Sequence, residues 1–187
     1  MNALFPPAQA EPRRFSVADI LSLVQHGVVD EHARFELLDG EVVPMAPKGP
    51  LNEGLREAIG EWLRDLPRSV RALAETTFTL DATSCVGPDY VLYPTSISIR
   101  SLEPRDVMLL IEVADSAWTF DTTVKAARYA QAGVQAYWAI DARTGASRVH
   151  EGPSGGGWAQ VTDIAPGEAL VPPAGLGLPT FTPPPQD

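Results

Sequence analysis

Apolar residues recur at helical spacing in three stretches of the chain and at strand spacing in the stretches between them. In SVADILSLVQHG, Val17, Ile20, Leu21 and Val24 share one face, Ser16 stands at the N-cap position and Gly27 marks a stop, so an amphipathic helix is predicted. LNEGLREAIGEWLRDL repeats Leu51, Leu55, Ala58, Ile59, Trp62 and Leu66 and predicts a second helix. DTTVKAARYAQAG predicts a third, starting at Asp121 and ending at Gly133. RFELLDGEVVPMAP reads as a hairpin that turns at Asp39-Gly40, the strongest short turn signal in the chain. VRALAETTFTLD and DYVLYP read as strands, and the continuous aliphatic run DVMLLIEVA as a strand covered on both faces. AYWAID, SRVHEG and GWAQVTDI supply further strands, and GPSGGGW reads as a hairpin loop. Strand, helix and strand between Asp106 and Asp141 form a right-handed crossover by default. The expected fold class is α/β (α+β), a mixed β-sheet core flanked by helices, and an all-helical bundle is excluded.

Length and composition bound this picture. The 187 residues, 44% of them hydrophobic, suffice for one domain with a core of its own. That domain is expected over residues 15–181, between an N-terminal tail (1–14) and a C-terminal tail (182–187), with the Pro- and Gly-rich close PPAGLGLPTFTPPPQD acting as tail or strap. The longest apolar run, VMLLI, is far below the roughly 18 residues of a spanning helix. No basic n-region followed by an apolar h-region opens the chain. A single cysteine, Cys85, excludes an intrachain disulfide and suits a reducing compartment, so a cytoplasmic protein without membrane attachment is expected. The formal charge of −10 argues against a broad basic face that coats nucleic acid, but not against an enzyme that meets nucleic acid through a local basic rim and a bound cation.

The candidate chemistry lies at Asp89, Glu112 and Lys125. Asp89 opens one strand and Glu112 stands alone among aliphatic residues near the end of another. A desolvated carboxylate is costly unless a cation meets it. On adjacent strands the two acids would converge, and a hard divalent ion needs only one or two such carboxylates, with water and phosphate completing its shell. Such an ion lowers the pKa of bound water and neutralises charge on a phosphoryl oxygen. A lysine beside it can steady the attacking water and the developing charge.

The residues GPDYV, then IEVADSAWTFDTTVKAARYAQAGVQAYWAID, with RFELLDGEVVPMAP upstream and LVPPAGLGLPTF at the close, resemble the Uma-two family of restriction endonucleases, within the PD-(D/E)XK nuclease superfamily. The resemblance runs from about Phe15 to Phe181, and Ile111 to Asp141 is its specific part. It implies a restriction-endonuclease-like fold, a metal-dependent endonuclease acting on nucleic acid (DNA first), and Mg²⁺ or Mn²⁺ as cofactor. It implies Asp89 and Glu112 as metal ligands, Lys125 from the following helix in place of the superfamily's lysine, since Ala114 fills the usual position, and Glu36 as an acid that helps at the metal or orients a water. Relatives carry a histidine at the start of the second helix; this chain has Asn52 there, and Ala46 for a serine just upstream. Asn cannot take up a proton near neutral pH, so activity would be weaker or differently tuned.

Plainer readings stand beside these. Asp89 can start a strand after Pro88, Glu112 can sit on an exposed edge, and Lys125 can pair with Asp121 on a solvated helix face for about 0.3 kcal/mol. Asp121 is read as a helix cap. Tyr129, Tyr137 and Trp138 read as core or edge aromatics, and Cys85 as a buried thiol. His26, His32 and His150 lack zinc-ligand spacing. Arg64, Arg68, Arg71, Arg100 and Arg105 are the rim candidates, with plain solvated surface as the alternative. A second function class also remains open: a catalytically silent nuclease fold kept for protein association or homodimerisation. A third is a phosphate-ester hydrolase acting on a small substrate.

Overall fold

The computed structural model describes residues 14–185, so the ends of both expected tails lie outside the described residues. Among the described residues ten strands form two sheets. β1 (Phe35–Leu38), β2 (Glu41–Pro44), β4 (Phe78–Asp81) and β5 (Ser84–Val86) make one, in the order β2-β1-β5-β4. β3 (Val70–Ala74), β6 (Tyr90–Pro94), β7 (Leu109–Ala114), β8 (Ala136–Asp141), β9 (Ser147–Ser154) and β10 (Gly157–Ile164) make the other, in the order β10-β9-β8-β7-β6-β3. Three helices accompany them: α1 (Val17–Gln25), α2 (Pro50–Trp62) and α3, a continuous run of Trp118–Phe120, Asp121–Lys125 and Ala126–Ala132. The α+β class expected from the hydrophobic pattern is the one observed.

The six-stranded sheet is covered on both faces, which is why its central strands are apolar throughout. Side chains alternate along a strand. Leu109, Ile111 and Val113 of β7, with Trp138 and Ile140 of β8, pack against Leu55 and Ile59 of α2 and against Leu170, Leu176 and Phe181 of the C-terminal segment. That segment is a strap: Leu170 and Phe181 bridge to each other and Trp62 Nε1 donates to Pro179 O. The opposite face, with Leu110, Tyr137 and Ala139, packs against Ala126 and Tyr129 of α3 and against Leu38, Phe78 and Val86 of the smaller sheet. Glu112 therefore points to the face shared by α3 and the small sheet.

Local chemistry sets the ends of the elements. Ser16 and Asp19 form a capping box at the start of α1, and Gly27 follows in the left-handed region at φ +68°. Asp39 and Gly40, at φ +51° and +77°, turn the β1–β2 hairpin.

Two expectations change, and the placement of α1 adds a third finding. VRALAETTFTLD is two strands, β3 and β4, in different sheets, because the chain breaks at Glu75 in the left-handed region at φ +48°. The third helix begins at Trp118 and not at Asp121, which lies inside it, buried, and caps nothing. The apolar face of α1 does not enter the core: none of its residues is buried, and Val17, Ile20, Leu21 and Val24 instead line a cavity of about 580 Å³ against β1 and β5.

Candidate active site

The site forms where β6 leaves β7. Their pairing runs Leu92↔Leu109, Val91↔Leu110 and Tyr90↔Ile111, then stops. Upstream of Tyr90 stands Pro88, which has no amide hydrogen to extend a ladder. β7 continues alone against β8 as far as Ala114↔Asp141. Two side chains complete the edge that β6 abandons. The amide of Val113 donates to Asp89 Oδ2 at 2.8 Å, and Asn52 Nδ2 donates to the carbonyl of Val113 at 2.6 Å.

Across the cavity, α3 delivers Lys125. Its middle stretch, Asp121–Lys125, is a π-turn in which the amide of Ala126 reaches back to the carbonyl of Asp121. This wider turn keeps both Asp121 and Lys125 buried. Lys125 Nζ lies 2.6 Å from Glu112 Oε1, 2.9 Å from Glu36 Oε1 and 3.8 Å from Asp121 Oδ1. Tyr129, one helical turn on, donates its hydroxyl to Glu112 Oε1 at 2.6 Å. Glu36 Oε1 also accepts from the amide of Gly87 at 2.9 Å, tying the small sheet to the segment that leads into Asp89. At 5% exposure Lys125 is no surface residue, so the solvated i,i+4 pair does not describe it.

A second cationic group holds Asp89. Lys48 Nζ donates to Asp89 Oδ1 at 2.8 Å, and Arg56 Nε lies 3.0 Å from the same oxygen as an ion pair without hydrogen-bond alignment. Both cations also reach Glu75 Oε1, at 2.6 and 3.1 Å.

Burial pushes Glu112 up to about 8; Lys125 opposes the shift, and Asp89, Glu36 and Asp121 add to it. Burial likewise pushes Asp121 up to about 6. For Lys125, burial works to lower the pKa, but Glu112, Glu36 and Asp121 outweigh it and raise the value. The ammonium thus keeps its proton, and Glu112 is the member of the pair that titrates near neutrality.

Asp89, Glu112, Lys125 and Glu36, the four residues singled out in the sequence, line one cavity of about 140 Å³ together with Lys48 and Asn52. Among its lining side chains, five acids (Glu36, Asp89, Glu112, Asp115, Asp121) face three cations (Arg34, Lys48, Lys125), leaving two formal negative charges when all are ionised. Among the described residues no group of three or more His, Cys, Asp or Glu forms a ready metal cage. The donor set still fits a hard divalent ion that keeps most of its waters: it is all oxygen, it carries surplus negative charge, and Glu112 Oε2 has no hydrogen-bond partner among the described residues.

Sequence reasoning missed Lys48, Arg56 and Tyr129. Lys48 precedes α2 and Arg56 lies in the middle of it, and neither carried a pattern signal; Tyr129 was legible as buried but not as a donor to Glu112. Arg64, Arg68, Arg71, Arg100 and Arg105 are all exposed and none lines this cavity. Tyr137 and Trp138 are core aromatics, as expected, and Cys85 is a half-buried thiol.

Comparison with known proteins fits this architecture. No curated protein matches the sequence. Among solved structures, the chain is similar to a crystal structure from Anabaena variabilis described as "a putative nuclease belonging to DUF820". The TM-score is 0.70 at 14% identity, over 90% of this chain and 94% of that one, a likeness of fold. Residues 19–181 match the family model Uma2, described as "Putative restriction endonuclease". The chain belongs to the Uma2 family.

Proposed function

We propose that this protein is a metal-dependent endonuclease-like phosphodiesterase of the PD-(D/E)XK type, hydrolysing phosphodiester bonds of nucleic acid, DNA first. The observation that carries the reading is a buried ammonium, Lys125, set between Glu36 and Glu112 in a cavity that Asp89 also lines. Asp89 and Glu112 would hold Mg²⁺ or Mn²⁺, which supplies an acidified water and charge neutralisation at the phosphoryl group. Lys125 holds Glu112 in place and offers an N–H donor to the attacking water. Glu36 fixes Lys125 from the opposite side. Lys48 and Arg56, already beside Asp89, are the donors placed to meet phosphate oxygens.

Two measurements test this. Plasmid DNA should be nicked in Mg²⁺ or Mn²⁺, with the activity abolished by EDTA and by Glu112→Ala; nicking that survives both would overturn the reading. Mn²⁺ should also raise the melting temperature of the wild type and not of Glu112→Gln. A second reading has its own observation. Both oxygens of Asp89 are already bonded, Oδ1 to Lys48 and Oδ2 to the amide of Val113, as in a closed structural network. On that reading the fold is catalytically silent and serves protein association, including homodimerisation, and neither nicking nor thermal stabilisation by metal appears.

A further inference from the structure

Asn52 stands three residues before Leu55 and seven before Ile59, on the face of α2 that enters the core, and is a polar side chain only 4% exposed, while its neighbour Leu51 is 40% exposed. Its amide orientation is decided by its partner. The carbonyl of Val113 can only accept, so Nδ2 must face it, and Oδ1 is turned away. Oδ1 is buried and has no hydrogen-bond partner among the described residues. A buried acceptor left bare is destabilising, so the fold retains it at a loss unless something donates to it. Asn52 lines the cavity that also contains Asp89, Glu112 and Lys125. At about 140 Å³ that space admits water, and its walls offer the several polar partners a held water needs.

We propose that Asn52 Oδ1 accepts a hydrogen bond from an ordered water inside this cavity and is a positioning residue for hydrolysis. The part played in hydrolysis rests on the function proposed above; the water itself does not. A water that gives one proton to Oδ1 and the other to a cavity carboxylate has its lone pairs turned away from both, the orientation an attacking oxygen requires. In the reaction that oxygen bonds to phosphorus as the ester P–O bond breaks; one proton of the attacking water passes to the carboxylate, the other stays on the new hydroxyl, and the leaving oxygen takes its proton from bulk water. Asn52 exchanges no proton. Its amide does not titrate in the working range, so its own part in holding the water does not change with pH.

The test has two arms. A high-resolution crystal structure of the full chain should show a water about 2.7–3.2 Å from Asn52 Oδ1, absent from Asn52→Leu. An Oδ1 with no water, or one contacting a protein donor, overturns the proposal whether or not the protein cuts DNA. In nicking assays Asn52→Leu should lower kcat about 100-fold with little change in KM. Asn52→His retains one donor and one acceptor while neutral, so well above its ordinary pKa of about 6.5 it should recover much of the kcat that Asn52→Leu loses. Asn52→Leu as active as the wild type, or Asn52→His no better than Asn52→Leu, overturns the positioning role. A wild type that cuts nothing, with the water in place, counts against the nuclease reading and leaves the water site standing.

Discussion

Lys125 and Glu112 meet at 2.6 Å inside the protein, one from the helix and the other from the first strand of the same crossover. Burying two charges is repaid only while both are present. Lys125→Met would leave Glu112, Glu36 and Asp121 facing one another without a cation. In metal-free urea titrations it is expected to cost about 3–5 kcal/mol. Adding Glu36→Gln to that background should recover part of the loss, because it removes one of the unpaired acids; strictly additive effects would contradict the geometry.

Glu112 makes the metal-free protein sensitive to alkali. Its folded pKa is about 8 against 4.5 for the free side chain, so between those values the native state binds a proton that the unfolded chain has released. The stability this contributes is complete below about 4.5 and lost as pH rises through 8. The wild type should therefore melt progressively lower between pH 5 and pH 8 without metal, and Glu112→Gln should flatten that slope.

His150 acts in the opposite direction. It is buried against Tyr137, and burial lowers its pKa to about 4 from 6.5. Below pH 6.5 the unfolded chain takes up a proton that the native state refuses, so stability falls as pH drops from 6.5 towards 4. His150→Gln should reduce this acid loss while leaving the alkaline slope intact, and thermal melts across the range separate the two.

Tyr129→Phe deletes the hydroxyl that donates to Glu112 Oε1 at 2.6 Å and leaves the ring in place. A loss of about 1.5–3 kcal/mol is expected for a bond to a charged group, measured by urea unfolding above pH 8, where the carboxylate is ionised. Well below that pH the loss should be smaller.

Much of this architecture was legible in the chain because periodicity reports burial directly. The continuous aliphatic run of β7 foretold a strand covered on both faces, and its one acid marked the cavity. Asp39-Gly40 announced a hairpin, and of the two readings of the Pro-rich close, tail or strap, the strap is the one observed. What escaped was set by three-dimensional contact and not by spacing. Leu51 fits the apolar face of α2 on paper, yet Asn52 is the residue turned inward, drawn by the bare carbonyl of Val113. Glu75 looked like mid-strand and is a left-handed break. Lys48 and Arg56 drew no reading at all, since nothing in their neighbourhood says that Asp89 folds up against them.

The π-turn in α3 has a consequence for insertions and deletions. Such a turn holds one residue more than an α-turn spans, so loss of a single codon among Thr122, Thr123 and Val124 would return the helix to regular geometry. The helix on either side would keep its orientation, since the extra residue is what the wide turn absorbs. Asp121 and Lys125, however, would lose the spacing that keeps both of them buried. In this segment the number of residues is constrained as tightly as their identity.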